Sequence, residues 1–173
     1  MKTSCVLGVS MVMVAVTAAA QPLPRVRALD LVATIALERG REESPRFRAL
    51  VAELEDSDVI VHVVASPTLP AGVIGTMRFV ARPGETRYVR IDLAALAGPD
   101  LRVATLAHEL QHACEIARST AGSHGDVRDL YRVIGRAVPG VRDAFETDSA
   151  QRAGWDVWGE LRGLKRAART TDH

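Results

Sequence analysis

The sequence predicts an α+β fold, a small antiparallel sheet packed against a helical bundle, and three observations predict it. Residues 59–65 form a β-branched run. Two further extended segments follow at 73–80 and 85–93, the second alternating Val89, Ile91 and Leu93 with Tyr88, Arg90 and Asp92. From Pro99 onward the apolar spacing is helical. The chain has 173 residues, of which 47% are apolar and 25% charged, so one domain with a real core is expected rather than a disordered chain or a polytopic membrane protein.

Taken in order, the first twenty residues read as a secretory signal peptide. Lys2 gives a positive start, an apolar run follows, and Ala18-Ala19-Ala20 supplies small residues ahead of a cleavage before Gln21. The run is shorter than the roughly 20 residues a bilayer span needs, so no stable membrane span is expected after cleavage, and the mature chain is expected to be secreted or periplasmic. The domain proper is then 21–173. Residues 25–39 carry Val26, Leu29, Val32, Ala33 and Ala36 at helical spacing and are expected to stop at Gly40, and Ser44-Pro45 predicts a capped second helix. Arg82-Pro83-Gly84-Glu85 predicts a type II turn joining the last two strands as an antiparallel hairpin. A long helix follows Pro99, another spans about 126–138, and a last one is expected to open at Ala144 and run to about Lys165. No internal repeat is present.

Charge and composition exclude some partners. Twenty Arg and two Lys stand against 21 acidic residues, and without the leader the domain is formally neutral, so no global field favours nucleic acid. Aromatics at 4% give no stacking platform for bases. Of the two cysteines only Cys114 remains in the mature chain, expected as a buried small hydrophobe.

The chemistry lies in the long helix, where His108-Glu109-Leu110-Gln111-His112 matches H-E-x-x-H. Histidines four apart project from one helix face and can reach one metal ion, while Glu109, about 100° around, can serve as a base beside it. Val103, Leu106, Leu110, Ala113, Cys114 and Ala117 form the opposite stripe, which can anchor the helix in a core. A catalytic site of this kind needs a third protein ligand and an open position. Glu146, 34 residues beyond His112 and expected on the last helix, is the candidate. Ala150, Ala153 and Gly154 share its predicted face and permit close approach, whereas Asp148 would point the other way.

On these residues the chain resembles the zincin metallopeptidases of gluzincin type, over roughly residues 85–160. The resemblance implies zinc held by His108, His112 and Glu146, and Glu109 activating the water that attacks a peptide carbonyl. It also implies a peptide or protein substrate, with strand 85–93 as the candidate to pair with it. Many gluzincins carry an acid four residues after the ligand Glu that orients a histidine; here that position is Ala150, so the contact must come from elsewhere or be absent. The metzincin continuation after His112 is also missing, since Ala113-Cys114-Glu115 stands there. Tyr131 and His124 are the candidate oxyanion donors, with packing or loop roles as their alternatives. His62 reads as a core histidine, and Trp155 and Trp158 as packing anchors. A second functional reading is a non-catalytic envelope protein that uses the same scaffold for binding or assembly.

Overall fold

The computed structural model describes residues 23–141 and 143–171, with side chains described as far as residue 163. The expected leader at 1–20 and its cleavage site lie outside the described residues. The β-branched run folds as β2 (Val59–Ser66), whose alternate residues Val59, Val61 and Val63 are fully buried. Beside it lies β4 (Arg87–Ala94), with Val89, Ile91 and Leu93 buried on the same side. Between them in sequence, β3 (Gly75–Ala81) pairs with β4 as the expected antiparallel hairpin. Its turn closes from the Thr86 amide to the Pro83 carbonyl at 3.4 Å, with Gly84 at φ 60° supplying the left-handed residue. A short β1 (Val26–Ala28) completes the order β1-β2-β4-β3.

The α+β class holds, and the sheet is mixed rather than antiparallel: β1 with β2 and β2 with β4 are parallel. The chain lays β3 outside β4, which leaves β4 running alongside β2 in the same direction. Two helices, α1 (Leu31–Glu43) and α2 (Pro45–Glu55), make the crossover from β1 to β2.

Two boundaries near the start differ from expectation. Residues 25–28 are extended because the Arg25 carbonyl accepts from the Val61 amide at 2.8 Å, and three residues are too few to display a period of two. Asp30 then caps α1, one carboxylate oxygen accepting from the Ala33 amide at 2.9 Å and the other from the Ala65 amide at 2.7 Å. Gly40 does not end the helix. It is buried within α1, where a Cβ would lie 2.6 Å from the Phe47 ring, so it serves close packing instead. Ser44-Pro45 caps α2 as expected, the Ser44 hydroxyl accepting from the Phe47 amide at 2.9 Å.

The motif helix is α3 (Pro99–Ala117), and its expected apolar stripe is buried from Val103 to Cys114. The carbonyls at its C-terminus and just beyond are gathered by the buried guanidinium of Arg87, which donates to those of Ile116, Ala117, Ser119 and Ala121 while pairing with Asp58. Next, α4 (His124–Ile134) stops at Gly135, earlier than expected, because the chain turns into a two-residue strand, β5 (Arg136–Ala137). This pairs with β6 (Phe145–Glu146), and α5 (Asp148–Thr171) follows. The last helix therefore begins after Glu146, not at Ala144. Thr147 caps it, accepting from the Ala150 amide on its hydroxyl at 3.1 Å.

The aromatic expectations divide. Trp155 is 71% exposed and anchors nothing in the core, while Trp158 is half-buried under the guanidinium of Arg162. His62 is not a core residue either. It stands half-buried on the sheet face away from the helices, between Arg27 and Arg90 in register, and burial together with those charges holds its pKa below the usual value.

Candidate metal centre

Helix geometry sets His108 and His112 one turn apart, with ring centroids 5.0 Å from each other. His108, Glu109 and His112 offer ligand atoms that lie within 4.8 Å of one another, a largely buried group that could hold a metal ion. Glu146 joins this group although it sits on β6 and not on a helix. Its Oε1 lies 3.2 Å from His108 Nε2 and 3.7 Å from His112 Nε2, so one carboxylate oxygen faces both imidazoles. The small residues lie on the last helix, as expected, while Glu146 sits one element before it. Ala150 and Ala153 are fully buried, and a Cβ on Gly154 would come within 3.4 Å of His108 Cβ, so α5 lies close along α3. Asp148 points away from the cluster into an exposed pair with Arg136 at 2.6 Å.

His112 is also held on its far side, its Nδ1 lying 2.9 Å from Glu115 Oε2, while the backbone of Ala150 favours the charged form of His108. Position 150 carries no acid, and the carboxylate that meets His112 is that of Glu115, three residues beyond it on the same helix. Glu115 in turn accepts from the Thr147 hydroxyl at 2.7 Å, and the Thr147 amide donates to Glu146 Oε1 at 3.0 Å. Glu115 and Thr147 were not among the sequence candidates. Their signal was partly available, because an acid three residues after a histidine shares its helix face.

The electrostatics follow from this packing. Burial opposes a charge on His112, but its hydrogen bonds to the carboxylates of Glu115 and Glu146 outweigh it and push its pKa up to about 9. Burial and the neighbouring His112 hold His108 below the ordinary value. Burial also works against ionisation of Glu146, yet His112 and His108 keep its carboxyl below the usual range. Glu109, 6% exposed, is pushed up to about 7 chiefly by burial. It lies against β3, where a Cβ on Gly75 would stand 3.1 Å from its Oε1 and the backbone of Met77 favours its charged form.

The structure does not bring the two oxyanion candidates into the cluster as free donors. The Tyr131 hydroxyl donates to the His112 carbonyl at 3.0 Å, and its ring packs edge-on to His112 and against Phe145. His124 opens α4 and meets the edge of Phe79, with ring centroids 5.4 Å apart. A cavity of about 430 Å³, lined in part by Leu130, Ile134, Thr147 and Asp148, reaches the cluster at Glu115 and Glu146. No known protein family, curated protein or solved structure matches the chain, so the metal-binding reading rests on these residues and their geometry.

Proposed function

We propose that the chain is an exported zinc-dependent hydrolase of gluzincin-like design that cleaves peptide bonds. The observation that carries this is the convergence of His108 Nε2, His112 Nε2 and Glu146 Oε1 on one point, with Glu109 beside them. Two imidazoles and a carboxylate are donors that suit zinc, and His112 already has its other nitrogen engaged by Glu115, which directs its Nε2 toward that point. A zinc ion bound there supplies Lewis acidity to a substrate carbonyl and to water.

Glu109 is the general base. Its carboxyl is buried and raised toward neutrality, so it can take a proton from water near pH 7 and return it to the leaving amine. The strand that meets the substrate changes relative to the expectation. β4, which contains most of 85–93, is flanked by β2 and β3 and has no open edge, whereas β3 pairs only with β4 among the described residues. The Ala94 amide donates to the Ile74 carbonyl, and the antiparallel alternation from that bond turns the backbone groups of Gly75, Met77 and Phe79 away from β4. β3 is therefore the edge on which an extended peptide would lie, next to Glu109.

The test is zinc content and peptide-library turnover of residues 21–173, compared with Glu109→Gln. Near-stoichiometric zinc in both proteins with hydrolysis lost in the variant is expected. Undiminished turnover in Glu109→Gln overturns the base assignment, and zinc binding without any turnover in the wild type favours the non-catalytic reading.

A further inference from the structure

Glu115 is 8% exposed, and both of its carboxylate oxygens are used. Burying a carboxylate costs several kcal/mol unless its oxygens are paired, so such a group calls for partners that repay it. Here the two partners belong to the two separate arms of the metal centre. Oε2 faces His112 Nδ1 on α3, and Oε1 accepts from Thr147, the residue directly after Glu146. The Thr147 hydroxyl can serve Glu115 because the Ala150 amide donates to it from the other side, and the Thr147 amide is directed at Glu146 Oε1.

We infer that Glu115 is the positioning residue of the centre, a single carboxylate that sets the direction of His112 and anchors the turn carrying Glu146. The inference rests on the proposed zinc site and goes beyond it by naming what holds the third ligand to the motif helix. With Glu115 Oε2 accepting at Nδ1, that nitrogen keeps a hydrogen and Nε2 is the ring atom left to face Glu146. Through Thr147 the same group joins a two-residue strand to a 19-residue helix, a connection that backbone pairing of β5 with β6 does not make. Glu115 thereby takes the place of the acid absent at position 150, from a different element and with a second task.

The experiment combines zinc titration against a competing chelator with nitrogen-15 spectra of the His112 ring, on residues 21–173, for Glu115→Leu, Glu115→Gln and Thr147→Val. Glu115→Leu is expected to weaken zinc roughly 10- to 100-fold, and Glu115→Gln, which keeps an acceptor, by less than roughly tenfold. The Nδ1–H resonance of His112 should be present in the wild type and in Thr147→Val, and lost or exchange-broadened in Glu115→Leu. Thr147→Val should weaken zinc while leaving that resonance in place, and it stands in for Glu115→Leu should the latter fail to fold. A wild type that takes no zinc sinks the proposed function, yet the ring spectra of the metal-free protein still decide whether Glu115 fixes the His112 proton. Wild-type zinc affinity in both Glu115→Leu and Thr147→Val, or an unchanged His112 spectrum in Glu115→Leu, overturns the inference alone.

Discussion

Glu146 and Asp148 stand two residues apart and meet opposite surroundings. The first faces two imidazoles, and the second is exposed against Arg136. Glu146→Ala is therefore expected to weaken zinc by more than the roughly 100-fold that marks the upper end for outer contacts, while Asp148→Ala stays within roughly tenfold. Zinc titration of both variants checks the ranking. Cys114 gives a pH prediction. Burial raises its thiol from the ordinary 9.0 to about 12, so the unfolded chain loses this proton first. The stability it contributes is complete below about pH 9 and is lost as pH rises toward 12. Melting curves should show Cys114→Val gaining on the wild type above pH 9, and a constant difference up to pH 11 would contradict the burial argument. At this scale the histidine pair and Glu109 were legible because their spacing is local. Glu146 faces both imidazoles from β6 and not from the last helix where it was expected, and Glu115 was not legible because the family resemblance puts an orienting acid four residues after Glu146, where Ala150 stands.

Among elements, the close meeting of β3 with α3 decides where Glu109 sits. A Cβ on Gly75 would run into Thr105 Cγ2, so Gly75→Val forces β3 or the side chains of α3 that face it to shift. The expected cost is about 1–3 kcal/mol by overpacking, with turnover falling more than zinc affinity because Glu109 borders β3 and the histidines do not depend on it. Denaturant unfolding and zinc titration of the variant separate the two effects. The helices and the three long strands could be read from periodicity, since each spans enough residues to show it. β1, β5 and β6 could not, having only two or three residues each, and their pairings depend on partners far along the chain. Parallel pairing of β2 with β4 was equally hidden, because a hairpin signal between β3 and β4 says nothing of which strand lies on the far side of β4.

At the scale of the molecule, the sheet carries α1, α2 and α3 against its buried face, and α5 packs along α3 from the other side of the motif. No helix among the described residues is long and apolar enough to cross a membrane. The proposed ligands come from two stretches far apart in sequence, α3 near the middle of the chain and β6 just before the last helix. The first stretch is tied into the core by its apolar stripe and by Arg87. The second hangs on a pair of two-residue strands and a few side-chain bonds.

That imbalance has a consequence for how the protein would age with and without an ion bound at the proposed centre. Local opening costs least where few apolar contacts hold the backbone, and residues 138–141 and 143–144, with Val141 exposed, are such a place. An ion bridging α3 and β6 would act as a clasp on this loop, adding its binding free energy to the closed form alone. Limited proteolysis should therefore begin within 138–145 after chelation and be suppressed by zinc, with the segments from α1 through α3 resisting in both states. Equal cutting with and without the ion would mean that the loop is closed by its own contacts, and that the centre is a passenger on a hinge already shut.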